Sequence, residues 1–310
     1  MKIAFVFPGQ GSQSVGMLDA WAGNTVVAEA LGLASAALGQ DLASLIAGGP
    51  AEQLNLTTNT QPAMLASAVA MYRAWLAAGG PEPSLVAGHS LGEYSALTAA
   101  RSLALEDAVR IVRVRADAMQ TAVPVGTGGM AAILGLDDDV VRDVCAQAAR
   151  GEMVEAVNFN APAQVVIAGH ATAVARACEL AKAAGAKRAL PLPVSAPFHS
   201  RLLEPAATVL GKALAGVSMA APGIELINNV DVASPSDPAA IRDALVRQAW
   251  HPVRWVETIR AMKDRGITHV IECGPGKVLS GLTRRIDKDL QSFNVSDPAS
   301  LEATLAVIKE

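Results

Sequence analysis

Ser90 stands in Gly88-His89-Ser90-Leu91-Gly92, directly after the apolar run Leu85-Val86-Ala87 and, after Glu93, before Tyr94-Ser95-Ala96-Leu97-Thr98-Ala99-Ala100. A G-x-S-x-G turn between a strand and a helix is a nucleophile elbow, so tight that its glycines cannot carry side chains, and it pushes the hydroxyl out of the sheet. Such a serine needs a base to take its proton and donors to hold the oxyanion it creates. The Leu91 N–H, at the start of the helix, is free to be one of those donors. Among the five histidines (His89, His170, His199, His251, His269), His199 is the candidate base. It lies in the irregular segment Pro193-Val194-Ser195-Ala196-Pro197-Phe198-His199-Ser200, just before a helix, where functional groups concentrate. His89 adjoins the nucleophile but should point away from it, and reads as structural.

Arg115 is the third candidate. The spacing predicts a helix over 105–121 with Leu105, Ala108, Val112 and Met119 on its core-facing stripe and Ala116 beside it. Arg110 and Arg113 have Asp107 and Asp117 within one turn, ordinary surface pairings. Arg115 falls on the apolar stripe with no acidic residue three or four positions away, where an unpaired charge is costly. Either a distant carboxylate satisfies it, or it awaits an anionic ligand.

The elements that must position these groups follow from the rest of the chain. Residues 3–7 read as a buried strand, and the polar loop Pro8-Gly9-Gln10-Gly11-Ser12-Gln13 sits at its carboxyl end. Loops there face the crevice of an open α/β sheet, so Gln10 can reach the same cleft as the elbow. The loop has neither G-x-G-x-x-G nor a P-loop lysine. Residues 25–80 read as helical scaffold, with Thr57-Thr58-Asn59-Thr60-Gln61-Pro62 supplying capping side chains and a proline near the start of the next helix. After the glycine-rich hinge at 123–129 come strand 130–136, helix 137–150, strands 154–159 and 163–168, helix 171–184 and strand 186–190. That β-α-β-β-α-β order is ferredoxin-like. Asn158 and Asn160 fall at the turn between its middle strands, where asparagine commonly serves the backbone. The expected fold is therefore α/β: a large, discontinuous α/β-hydrolase-like domain with a parallel sheet core (1–125 and 196–310) and an inserted ferredoxin-like small domain (126–195).

Composition narrows the classes. A hydrophobic share of 51% with 17% charged residues describes a globular protein, and with aromatics at 4% the interior must be filled by alanine and aliphatic side chains. The net charge of −4 argues against a nucleic-acid partner. No apolar run has transmembrane length and the first strand is too short for a secretory signal, so no membrane partner is expected. Cys145, Cys178 and Cys273 share no C-x-x-C spacing, which fits free thiols in a cytoplasmic protein.

Phe7-Pro8-Gly9-Gln10-Gly11-Ser12-Gln13, Gly88-His89-Ser90-Leu91-Gly92-Glu93, Arg115, Asn158-Phe159-Asn160, Phe198-His199-Ser200 and Gln248 stand in an order that resembles the malonyl-CoA:acyl-carrier-protein transacylases of fatty acid synthesis. The resemblance covers nearly the whole chain. It implies that Ser90 carries the malonyl group, that His199 is the base, oriented by the main-chain carbonyl of Gln248, and that the N–H groups of Gln10 and Leu91 form the oxyanion hole. It further implies that Arg115 holds the malonyl carboxylate, that Asn158 and Asn160 belong to the substrate site, and that Phe198 crowds an α-methyl group. Malonyl-CoA and an acidic acyl carrier protein are the implied partners, with Lys187-Arg188 and Arg284-Arg285 as docking candidates; no metal or cofactor is implied, and a monomer is expected. The same family includes polyketide-pathway acyltransferases. A serine hydrolase shares the elbow but places an acid after the serine and its histidine near the carboxyl end, and a non-catalytic docking module would not need Ser90, His199 and Arg115 together.

Overall fold

The computed structural model describes residues 1–309. The strands among them are β1 (Ile3–Phe7), β2 (Leu85–Gly88), β3 (Gly128–Leu134), β4 (Val154–Ala161), β5 (Gln164–His170), β6 (Arg188–Pro191), β7 (Glu225–Ile227), β8 (His269–Cys273) and β9 (Gln291–Val295). They form two sheets: a parallel one of order β7-β2-β1-β8-β9 and an antiparallel one of order β4-β5-β3-β6. The fold is thus α/β with a parallel core and a separate antiparallel sheet, as expected from the sequence.

The parallel sheet is covered on both faces, which is why β1 is apolar at every position. Alternate residues divide between the two faces. Ile3, Phe5 and Phe7 enter the larger core, together with the helices Thr57–Ala77 and Leu105–Thr121, while Ala4 and Val6 face Trp255, Ile259 and Leu279 on the other side. The few aromatics are concentrated here: Phe5 meets Tyr72 and Trp75 edge-on, both with centroids 5.4 Å apart.

In the antiparallel sheet, Ala131, Ile133, Val165 and Ile167 pack under the helices Asp138–Ala149 and Ala171–Ala183. Its opposite face, with Met130, Val157, Val166 and Ala168, is covered by Leu192, Val194 and Phe198, the segment that leads to His199. The edge strand β4 is tied to the rest of the chain: Phe159 N–H donates to Val253 O at 3.0 Å and Val253 N–H to Val157 O at 2.8 Å.

Two local readings need correction. Asn158 and Asn160 are not in a turn; both lie within β4, and the turn is Pro162-Ala163. Asparagine has a low strand propensity, but pairing to β5 through two register irregularities and the bridge to Val253 override it. The stretch 57–62 does not cap a later helix; it is the first turn and a half of Thr57–Ala77, whose N-cap position, Leu56, offers no side-chain cap. Pro62 inside that helix cannot donate to Thr58 O. Arg113 Nε supplies the missing bond at 2.8 Å, which is why Arg113 turns inward instead of pairing with Asp117.

Candidate active site

β2 ends at Gly88, the chain turns at Ser90, and the helix Gly92–Ala99 begins. Ser90 has φ of 53°, a left-handed conformation that a serine holds only when its surroundings impose it. A Cβ on Gly88 would come within 1.9 Å of the Gly92 backbone, and one on Gly92 within 2.0 Å of Phe7 O. Close approach of backbone to backbone therefore fixes both glycines.

Ser90 Oγ lies 2.7 Å from His199 Nε2, and His199 Nδ1 lies 2.9 Å from the main-chain carbonyl of Gln248. A carbonyl can only accept, so Nδ1 carries the proton and Nε2 is left to take one from the serine. His199 is buried, with φ of 65°. Burial, and after it the Arg115 cation, pushes its pKa down to about 3, so the ring is neutral at neutral pH.

Arg115 is 2% exposed. Its Nη1 donates to Gln61 Oε1 at 2.8 Å, and its Nη2 to Gln248 Oε1 and to Ser90 Oγ, both at 3.1 Å. The guanidinium sits over the Tyr94 ring, 5.6 Å from the centroid, and its buried Nε has no partner among the described residues. No carboxylate forms an ion pair with it among the described residues. Every oxygen it binds is neutral, and one of them is the Ser90 hydroxyl.

The loop after β1 runs against the elbow, since a Cβ on Gly9 would lie 2.7 Å from His89 O. The backbone N–H groups of Gln10 and Leu91 have no hydrogen-bond partner among the described residues. The Gln10 side chain bonds Thr57 Oγ1 at 3.2 Å. Asn160 Oδ1 meets His89 Nε2 at 2.8 Å, and His89 packs on Trp255, in keeping with a structural histidine. Asn158 is buried with an unpartnered Oδ1, and Phe198 packs against the cores of both sheets. None of Asn158, Asn160 and Phe198 hydrogen-bonds Ser90, His199 or Arg115. Among the described residues, no three His, Cys, Asp or Glu side chains gather as a metal site would require.

Residues 4–301 match the family model described as the acyl transferase domain. The chain is 54% identical over 305 residues to the malonyl CoA-acyl carrier protein transacylase of Salmonella typhimurium, covering 98% of this chain and 99% of that protein. The chain belongs to this transacylase family. The crystal structure of the acyl-carrier-protein S-malonyltransferase from Burkholderia pseudomallei superposes with a TM-score of 0.98 at 67% identity, over 99% of this chain and 100% of that one. A malonyl-transacylase in complex with a type II PKS acyl-carrier protein matches with a TM-score of 0.97 at 49% identity, over 99% of this chain and 100% of that one. The protein is an acyltransferase.

Three residues of this transacylase site were not legible as such. Gln61, read as scaffold, holds Arg115. Asn229 Oδ1 accepts the Ser90 N–H at 2.7 Å while its Nδ2 donates to Gly88 O at 2.7 Å, clamping the elbow on both sides. Glu93 is buried beneath the elbow, and burial pushes its carboxyl up to about 7. Asn229 carried a usable signal, since it follows β7 at the carboxyl edge of the sheet, where crevice loops emerge.

Proposed function

We propose that this acyltransferase moves a malonyl group from malonyl-CoA to the phosphopantetheine thiol of an acyl carrier protein, through a malonyl ester on Ser90. The observation that carries the reading is the buried arginine without a carboxylate partner, 3.1 Å from the nucleophile. A free malonyl carboxylate supplies the charge-assisted, two-pronged partner that the neutral amides of Gln61 and Gln248 only hold in readiness.

In the loading step, Ser90 Oγ attacks the thioester carbonyl as its proton passes to His199 Nε2. The oxyanion is held by the N–H groups of Gln10 and Leu91. As the C–S bond breaks, the imidazolium returns the proton to the departing CoA thiolate. The second half repeats the sequence in reverse, with the carrier's thiol as nucleophile. One thioester replaces another, so the exchange is nearly balanced and draws on no further cofactor. The main-chain carbonyl of Gln248 fixes the imidazole in place of a carboxylate as third member, which distinguishes the site from a Ser-acid-His hydrolase. Asn158, buried with an unpartnered Oδ1, and Asn160, which holds His89 beside the nucleophile, belong to the substrate side of the site, and Phe198 narrows the space for an α-methyl group.

Residues 126–195 form the inserted ferredoxin-like unit and 1–125 with 196–310 the catalytic part, in a monomeric cytoplasmic enzyme serving fatty acid synthesis. A polyketide carrier is the second reading, favoured by the likeness to the transacylase solved with a type II PKS carrier. Intact-mass measurement after incubation with malonyl-CoA tests the core of the proposal. One malonyl mass is expected on the protein and none on Ser90→Ala; release of free malonate in place of a stable adduct would make the protein a hydrolase.

A further inference from the structure

Glu93 is 1% exposed, yet no cation pairs with it among the described residues. A carboxyl buried in this way needs hydrogen-bond donors, and those it has are informative. Its Oε2 accepts from the Asn229 main-chain N–H at 2.9 Å and from Gln248 Nε2 at 3.0 Å. The same Gln248 Nε2 donates to Ser90 O at 2.9 Å, and the Asn229 side chain accepts the Ser90 N–H. Gln248 also presents its carbonyl to His199 and its amide oxygen to Arg115. One carboxyl oxygen therefore stands where the elbow, the loop after β7 and the end of the helix Pro238–Gln248 meet.

We infer that Glu93 is the positioning residue of this site: the reach of its acceptor oxygen, rather than its charge, sets Gln248 and Asn229 against the elbow and so aligns Ser90, His199 and Arg115 together. The inference rests on the roles proposed above for those three residues. Both donors are neutral amides converging on one oxygen. A glutamine carbonyl at the same distance can serve them, whereas an aspartate, one methylene shorter, cannot.

The test compares Glu93→Asp, Glu93→Gln and Ser90→Ala with the wild type, each as the full chain. Loading from malonyl-CoA and from acetyl-CoA is followed with kcat and KM separated, alongside the melting temperature. Glu93→Asp keeps the carboxyl and loses the reach; its kcat for malonyl loading should fall about ten- to a hundred-fold, the scale of small misplacements of reacting groups. Its preference for malonyl over acetyl should also narrow, because Gln248 no longer steadies Arg115. Glu93→Gln should rescue both. Wild-type loading by the aspartate variant, a glutamine variant as impaired as the aspartate one, or a loss shared equally by both acyl groups in step with the melting temperature would each overturn the inference. An aspartate variant that does not fold would assign Glu93 to the scaffold and overturn it equally. Label on Ser90→Ala would instead remove the nucleophile reading itself, so the two failures are distinguishable.

Discussion

Arg115 brings a full charge into a site where all its oxygen partners are neutral, and this asymmetry yields the most selective residue-level prediction. Its burial lowers the guanidinium's pKa, and the nearby Tyr94 and Glu93 counter that only in part. On the role proposed for Arg115, a malonyl carboxylate relieves the imbalance, whereas an acetyl group leaves it in place. Arg115→Ala should therefore load malonyl worse by about 2–5 kcal/mol, the cost of losing one member of a buried charge pair. Acetyl loading should hold or improve, because no unpaired cation then opposes a neutral acyl group. Arg115→Lys should restore only part of the malonyl rate, since an ammonium cannot reproduce the forked contact. Loading assays with both acyl-CoAs decide the matter. Equal losses for the two, with a lowered melting temperature, would make Arg115 a structural residue.

At the scale of elements, the elbow depends on how closely three backbones approach. The Gly88 Cα faces the Gly92 carbonyl, and Gly92 in turn packs on Phe7 O at the end of β1. Gly88→Ala should thus force β2 and the following helix apart, costing about 1–3 kcal/mol or more by overpacking and displacing Ser90. A lowered melting temperature together with lost malonyl loading is the expected result; a stable, fully active variant would show that the elbow can relax. Elements of this kind were readable because their signals are local: the apolar run before Ser90, the stripe of 105–121, the alternation of β1. The β-α-β-β-α-β order was readable for the same reason. What escaped the sequence is held by partners far along the chain. Gln61 meets Arg115 across 54 positions, and Glu93 meets Asn229 across 136 and Gln248 across 155. Asn158 and Asn160 misled because local turn preference favours asparagine, while the strand they occupy is imposed by β5 and Val253.

For the molecule as a whole, the buried site couples global stability to pH through two groups of opposite sign. The Glu93 carboxyl, at about 7 in the fold against an ordinary 4.5, keeps a proton that the unfolded chain has released between those values. Its contribution to stability is full below pH 4.5 and is lost as the pH rises towards 7. His199, at about 3 against an ordinary 6.5, excludes a proton that the unfolded chain binds. Its contribution is full above pH 6.5 and is lost as the pH falls towards 3. Between pH 4.5 and 6.5 the two slopes oppose each other, and the wild-type stability curve is flattened by their cancellation. Glu93→Gln removes the first slope and leaves the second, while keeping the acceptor that Asn229 and Gln248 use. The melting temperature of that variant, relative to the wild type, should climb steadily from pH 4.5 to 7. Differential scanning measurements of both proteins across that range check it. Curves that stay parallel would mean that Glu93 is already ionised in the fold, its charge held by its two neutral donors and the nearby Arg115 cation.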